Sequence, residues 1–450
     1  MTAGPSTSRV RIPRAVLVLA LSACATGTTT VGLTAREEAT VLLQRGDGAA
    51  ATPILERLYR EAPGDLALAR GLAEAHVKGG TGEAFLSRLL PDDSAVSHYQ
   101  QGLVLFSRSA DATGPAVVQF RRAAELSPKE PEFHYRLGVA LLESEHYEDS
   151  LPELKLAVSL KPDLAGWHLP LAKALHHTGD DKLATEAVRT AIAGSPTAGE
   201  VKTARALMGQ INDPLARFPK QAQAQLDKGI AWLEQSDVPQ QAIISFEEIL
   251  RDFPDLSVVH SLLGVAYQRL DDAGRAVDEF KRALELNPED GRTHYLLGEL
   301  YFARQRPQAA KEHFEQALQK NPTLDEAWMR LGDLAVDRQD MATAKTCYRT
   351  LTFLTPDAAP ARGKLAMVYQ LAGDWPAADQ QLRVIVDKDA ENLDFVLRLG
   401  MLHTEWSLKA KQASERKTAA AEARKWLAKV LDAQPDNALA SRALESIQDR

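Results

Sequence analysis

One pattern of apolar and polar positions recurs along much of the chain at intervals of 34 residues. Within an interval, large residues occupy the fourth, seventh, eleventh and twenty-fourth positions, whereas small residues occupy the eighth and the twentieth. Spacings of three and four residues place side chains on one face of a helix. The pattern therefore predicts a pair of antiparallel helices in each interval, with close approach of the two helices at the small residues.

Prolines separate the predicted helix pairs. A proline removes a backbone donor and disfavours helical geometry in the residue before it, so it ends the second helix of each pair. A chain of 450 residues is too long for one ordinary core, and a regular period is typical of a repeat array. The prolines at this step are Pro128, Pro162 and Pro196, then Pro254, Pro288, Pro322 and Pro356.

Four stretches, which begin at residues 131, 257, 291 and 325, have the most complete pattern. It resembles the tetratricopeptide repeat, which implies an all-α solenoid, a right-handed superhelix of antiparallel helix pairs. In residues 257–290 the matching positions are His260, Leu263, Gly264, Tyr267, Ala276, Phe280, Ala283 and Pro288. In residues 291–324 they are His294, Leu297, Gly298, Tyr301, Ala310, Phe314, Ala317 and Pro322.

The first residues predict a secretory signal. Arg9, Arg11 and Arg14 precede a short apolar run, which is followed by small residues. The sequence Leu21, Ser22, Ala23, Cys24 resembles the lipobox of bacterial lipoproteins, which implies cleavage before Cys24 and its acylation. Because Ala25 and not aspartate follows, the resemblance implies an outer membrane lipid anchor that faces the periplasm, if the source has two membranes.

These features together predict the organisation of the chain. A signal peptide is expected at 1–23, the lipidated cysteine with a flexible tether at 24–34, and an N-terminal array at 32–198. An irregular linker or hinge is expected at 199–221, where Pro214 and Pro219 lie. A C-terminal array at 222–437 contains an insertion near 404–421, and 438–450 is predicted to form a capping helix.

Composition and motifs do not favour catalysis, a cofactor or nucleic acid. The net charge of -8 opposes general nucleic-acid binding. Histidines 134, 168, 260 and 294 each occupy the fourth position of a repeat, where the family commonly has tryptophan, so packing is a simpler explanation than a metal site. The zinc-protease, redox and serine-hydrolase motifs are absent from the sequence. We therefore predict a protein that is not an enzyme and has no cofactor or metal.

The resemblance implies a concave groove lined by the first helix of each repeat. Its contact positions are usually the second, fifth, ninth, twelfth and thirteenth. The alternative for these residues is packing between repeats. Carried onto this sequence, the candidates are Arg269, Arg292, Tyr295, Glu299, Phe302, Met329, Asp333, Met367 and Gln370.

The function that these features predict is a membrane-anchored scaffold or assembly factor of a bacterial cell-envelope machine. Its partners would be envelope proteins bound in the groove and the membrane bound through acylated Cys24. The machine could serve a pilus and its secretin, gliding motility, secretion or outer-membrane biogenesis, since the repeat does not distinguish them. The alternative is a periplasmic subunit of an enzyme complex, either regulatory or one that binds glycan or peptidoglycan, which a deep pocket with converging carboxylates would favour.

Overall fold

The computed structural model describes residues 33–89, 92–108, 113–216, 218–235 and 239–448, and all regular structure in these ranges is helical. The predicted all-α class of antiparallel helix pairs is therefore confirmed. The signal peptide, Cys24 and most of the tether, residues 1–32, lie outside the described residues.

The chain forms two compact units, of which the first comprises Met1–Lys161. Its described helices pack as successive pairs, each with its own apolar seam. The bounds are α1 Ala35–Gln44, α2 Gly48–Glu61, α3 Leu66–Lys78, α4 Gly82–Leu89, α5 Ala95–Phe106, α6 Thr113–Leu126, α7 Pro131–Glu143 and α8 Tyr147–Leu160.

The second unit comprises Pro162–Arg450 and contains the most regular repeats. Short 3-10 helices lie at Ala165–Trp167 and Lys220–Ala222. The α-helices are α9 His168–His177, α10 Asp181–Ala193, α11 Ala198–Ile211, α12 Gln223–Glu234, α13 Pro239–Asp252, α14 Ser257–Arg269, α15 Ala273–Leu286, α16 Gly291–Ala303, α17 Pro307–Lys320, α18 Asp325–Asp337, α19 Met341–Leu354, α20 Ala359–Leu371, α21 Trp375–Lys388, α22 Leu393–Lys409, α23 Ala413–Ala433 and α24 Ala438–Glu445.

Small residues allow the two helices of a pair to approach closely. A methyl group on Gly264 of α14 would lie 2.6 Å from the ring of Phe280 on α15, and one on Gly298 would lie 2.7 Å from the ring of Phe314. Both rings are fully buried. Glycine at the eighth position therefore leaves space for the aromatic side chain at the twenty-fourth.

The turn between the two helices of a pair has the same form in eight of the described pairs. One residue in each of these turns has a positive φ, which suits glycine but also occurs at Gln305 and Gln339. The left-handed residue reverses the chain within a few residues. In order, such residues are Gly46, Gly80, Glu145, Gly179, Asp271, Gln305, Gln339 and Gly373.

The irregular segments take simple forms. Residues 199–221, predicted as a linker or hinge, contain most of α11 and the start of the second 3-10 helix. A hinge there stays a prediction, and the boundary between the two compact units follows Lys161 instead. The insertion near 404–421 lengthens α22 to 17 residues and α23 to 21, and the predicted capping helix corresponds to α24.

Histidines at the fourth position of a repeat make a recurring set of hydrogen bonds. His260 contacts Glu279 at 2.7 Å through Nδ1 and the carbonyl of Pro254 at 3.1 Å through Nε2. His134 makes the corresponding contacts in the first unit. Trp328, at the same position, donates from Nε1 to the carbonyl of Pro322 at 2.9 Å. The residue at this position therefore ties the first helix of a repeat to the loop that precedes it.

His294 keeps the contact with the backbone of the preceding Pro288 but faces a second histidine where His260 faces a glutamate, and this environment predicts a loss of stability in acid. Its Nδ1 lies 3.2 Å from Nδ1 of His313, and burial, with His313 nearby, lowers the pKa of His294 from 6.5 to about 4. The pKa of His294 is lower in the folded protein than in the unfolded chain, so protonation favours the unfolded chain. The free energy of unfolding is therefore unaffected by His294 above pH 6.5 and decreases as the pH falls towards 4. We expect urea unfolding to show a smaller loss of stability from pH 7 to pH 4.5 in His294→Gln than in the wild type. An equal loss in both proteins would contradict this assignment.

Candidate functional site

The contact positions of the repeat lie on the first helix of each pair. In the last five repeats these helices are α14, α16, α18, α20 and α22. We call this set of side chains the groove face. Many of its charged members pair with one another between neighbouring repeats. Nε and Nη2 of Arg330 donate to the carboxylate of Glu299 at 2.7 and 2.8 Å, and Lys364 pairs with Asp333 one repeat later. Arg292 pairs with Glu326 at 3.0 Å.

These ion pairs follow the repeat itself. Glu299 and Asp333 both occupy the ninth position of their repeats, and Arg330 and Lys364 both occupy the sixth position of the next. We call the two pairs the charge ladder. Because each side chain is partly exposed, its ion pair contributes little to stability, but it determines which side chains remain available to a partner.

Aromatic side chains lie beneath the charges. The guanidinium group of Arg292 lies 5.1 Å from the ring centre of Tyr295, and that of Arg330 lies 5.3 Å from the ring centre of Phe302. Burial raises the pKa of Tyr295, whose ring lies 5.9 Å from that of Phe314. Both groove aromatics are half-buried and covered by cations. Their removal would therefore affect packing as well as any partner.

Other predicted contact residues also have internal contacts. Arg269 donates to the carbonyl of Leu233, and Met329 packs against an apolar cluster that includes Leu365. Asp333 accepts a hydrogen bond of 2.7 Å from the hydroxyl of Tyr348, besides its pair with Lys364. The alternative of packing between repeats thus has direct support at these three positions.

The end of the groove face differs, because large apolar side chains there are exposed. We call them the C-terminal apolar patch. Three of them, Met401, Leu408 and Leu439, line a cleft of about 300 Å³ together with Gln370, Thr404, Glu405 and Arg442, and the other two lie on α20 on either side of Gln370 in the sequence. The members of the patch, with their exposed fractions, are Met367 at 38%, Leu371 at 61%, Met401 at 41%, Leu408 at 41% and Leu439 at 54%.

Of the candidates named from the sequence, Met367 and Gln370 are the two at this patch. Gln370 donates to Glu405, and both line the cleft. Met401, Thr404 and Glu405 were missed, although they occupy the ninth, twelfth and thirteenth positions of a repeat that begins at Leu393. The same register would have identified them. Leu408 lies beyond the usual length of a first helix and Leu439 lies on α24, so neither has such a signal.

The described ranges provide neither a candidate membrane-spanning helix nor a candidate metal site. No helix in those ranges is both apolar enough and long enough to span a membrane. No group of three or more histidine, cysteine, aspartate or glutamate side chains in the same ranges is placed to bind a metal ion. Cys347 is buried, and burial raises the pKa of its thiol to about 12.

Comparison with known proteins recognises tetratricopeptide repeats in parts of the chain. One model of this repeat matches residues 116–165 and 261–325, and a second matches residues 301–361. No curated protein matches the chain.

Among solved structures, the chain is similar to three tetratricopeptide or pilus proteins, which it covers almost completely. One is YrrB, described as having an unusual peptide-binding site, with 20% identity over 44% of this chain and 97% of that one, and a TM-score of 0.39. Another is PilF of Pseudomonas aeruginosa, with 18% identity over 49% of this chain and 95% of that one, and a TM-score of 0.38. A third is PilW, described as a widely conserved type IV pilus biogenesis factor, with 20% identity over 50% of this chain and 99% of that one, and a TM-score of 0.37. These likenesses are too distant to assign a function.

Proposed function

We propose that the chain is a protein-interaction scaffold whose C-terminal apolar patch binds an apolar segment of a protein partner. The observation that supports this most directly is the exposure of Met367, Leu371, Met401, Leu408 and Leu439. Adjoining exposed apolar side chains are typical of interaction sites, whereas single ones are ordinary. The recognised tetratricopeptide repeats agree, because this fold is a protein-interaction fold.

The chemistry of the patch favours an amphipathic helix with a few charged residues. Two of its members are methionines, whose flexible and polarisable side chains adapt to irregular apolar surfaces. Arg442 lines the same cleft and offers a positive charge to fix the register of the partner, whereas Glu405 is already paired with Lys409. Arg292, Arg330 and Lys364 elsewhere on the groove face pair with acidic side chains of neighbouring repeats, so the patch offers the larger apolar contact area.

In the same proposal the scaffold is anchored to the outer membrane, facing the periplasm, through acyl chains on Cys24. Each buried methylene contributes roughly 0.8 kcal/mol, and stable anchoring takes about two chains. The partner would then be a subunit of an envelope machine, such as a pilus secretin or a motility or secretion complex. Cys24 lies outside the described residues, so the anchor depends on the lipobox-like sequence alone.

The interaction is tested by a pair of charge substitutions in the patch. We expect Met401→Glu with Leu439→Glu to reduce recovery of the partner at least tenfold, because an anionic side chain must be desolvated on contact with an apolar segment. The measurement is affinity purification of the full-length, membrane-extracted protein, with quantitative mass spectrometry of co-purifying proteins. Both residues are substantially exposed, so the melting temperature should stay near that of the wild type.

Ile244→Glu provides the matched control, since Ile244 is also an exposed apolar residue but lies on α13, outside the groove face. The control should recover the partner like the wild type. If the patch variant keeps full recovery while folding normally, the patch has no role in binding.

The anchor has its own test. Mass spectrometry of the amino terminus should show acylated Cys24 in the wild type, and Cys24→Ala should leave the membrane fraction. An unmodified amino terminus with only cytoplasmic companions would contradict the localisation, even if a protein partner binds the patch.

A further inference from the structure

One helix of the second unit contacts a repeat that lies far along the chain. Helix α11 is the first helix of a repeat whose second helix is missing, because α12, the next α-helix, pairs with α13 instead. It packs against α9 and α10, and Ala204, Leu207 and Met208 on it are buried. It also contacts α19, several repeats later. Each unit of a repeat array normally contacts only its neighbours, so the stacking of repeats does not explain this contact.

Two arginines make the polar part of the contact. Nη2 of Arg205 on α11 lies 2.7 Å from Oδ1 of Asp325, the first residue of α18, although 120 residues separate them. Nη2 of Arg189 on α10 donates to the carbonyl of Gln319 at 2.6 Å, across 130 residues. Gln319 lies in the last turn of α17, where backbone carbonyls have no partner within the helix and a positive charge is favourable. Each arginine therefore bonds to a group that a distant repeat supplies.

The acidic side of the contact borders the groove face. Glu326 follows Asp325 and pairs with Arg292 of that face. Burial raises the pKa of Glu326, but hydrogen bonds and the charges of Arg292 and Arg205 outweigh it, and the net shift is downward. Arg205 is thus attracted to the start of α18, one helical turn before the groove candidate Met329.

The apolar part of the contact is loosely packed. A cleft of about 250 Å³ lies between α11 and the end of α19, lined by Val201, Phe353 and Leu354 among others. Protein interiors are close-packed, so surfaces that leave such a space gain less from their contact than the paired helices of a repeat do. The side chains of Arg205 and Asp325 are 40% and 34% exposed, so their ion pair is also weak. The contact can therefore open while the helices on both sides stay folded.

We propose that this contact, which we call the α11 latch, is a reversible closure that holds α11 beside the start of α18 and limits access to that end of the groove face. Opening separates Arg205 from Asp325 and Glu326 and so frees two carboxylates for a partner. The chain turns on opening between α11 and α12, where Pro214 and Pro219 lie and a short 3-10 helix is the regular structure of the described residues. The inference does not depend on a protein partner at the C-terminal apolar patch.

Hydrogen–deuterium exchange of the full-length, membrane-extracted protein, followed by mass spectrometry, measures the latch from both sides. Arg205→Glu places like charges at the contact, so we expect exchange to become about threefold faster or more in residues 319–326 and 353–355, although they are remote from the substitution in the sequence. Asp325→Arg should have the same effect on α11. The double variant Arg205→Glu with Asp325→Arg restores opposite charges, so exchange in α11 should return to the wild-type rate.

Arg282→Glu is the matched control, because Arg282 is similarly exposed and pairs with Asp255 of the preceding repeat at 3.3 Å. It should leave exchange at the wild-type rate in α11 and in residues 319–326 and 353–355.

Three outcomes would overturn the proposal. In the first, each single substitution changes exchange only on its own side, so the two sides do not hold each other. In the second, the double variant exchanges faster than either single variant, which means lost stability and not a lost ion pair. In the third, the faster exchange extends to α14 and α15, which contradicts a local opening. Partner recovery by the apolar patch is a separate measurement, so failure here leaves the scaffold proposal standing.

Discussion

Phe280→Ala is expected to lower the free energy of unfolding by about 3 to 5 kcal/mol, the usual cost of truncating a buried aromatic side chain to alanine. Phe280 is fully buried against Gly264, and its core cluster extends from Ala222 to Leu300. Gly264 has no side chain with which to fill the cavity. In a repeat array each unit is stabilised by its neighbours, so the loss should also reduce the stability of the adjoining repeats.

Urea unfolding followed by circular dichroism measures this effect. Lys281→Ala, on the same helix but exposed, should change the stability by no more than about 0.5 kcal/mol. Wild-type stability in Phe280→Ala would mean that the assigned register of the two helices is wrong.

The second large effect is expected for Asp333→Ala, which should lower the free energy of unfolding by about 2 kcal/mol. The substitution leaves the hydroxyl of Tyr348 buried without its acceptor, and an unsatisfied buried group costs about 1 to 3 kcal/mol. Burial and the hydrogen bond to Asp333 raise the pKa of Tyr348, which is consistent with a hydroxyl that remains protonated. Loss of the pair with Lys364 adds little, because Lys364 is more than one-third exposed.

A double-mutant cycle separates these contributions. Tyr348→Phe removes the hydroxyl itself, so Asp333→Ala in that background should cost much less than in the wild type. Additive losses of stability would show that the two side chains do not interact in solution. Asp333→Asn, which keeps an acceptor for the hydroxyl of Tyr348, should lower the free energy of unfolding less than Asp333→Ala.

The sequence predicted the helix pairs well because their determinants are local. Prolines at a constant step, a small residue at the eighth position and an aromatic or leucine at the twenty-fourth define where each helix begins, ends and packs. The pair of α14 and α15 lies within the interval 257–290 accordingly. Left-handed turn residues such as Gln305 were not predicted, because a glutamine has no intrinsic preference for a positive φ.

The candidate sites were predicted only in part, because they depend on contacts between repeats. Position within the repeat gave Glu299 and Asp333 as groove candidates, but it did not predict that Arg330 and Lys364 pair with them. The long α22 obscured the last repeat, so Met401 was overlooked. The cleft lined by Asp379, His403 and Glu422 had no sequence signal, since these residues come from three helices and match no motif.

The charge ladder bears on how such an array can change its length. Residues 291–324 provide its first acid, residues 359–392 provide its last base, and the repeat between them, 325–358, contains both Arg330 and Asp333. We expect an in-frame duplication of 325–358 to pair the Asp333 of one copy with the Arg330 of the next. Deletion of the same repeat would bring Glu299 opposite Lys364, which are again opposite charges. Gain or loss of this one repeat therefore keeps opposite charges facing each other along the charge ladder, so the array can change length without new mutations at these two positions.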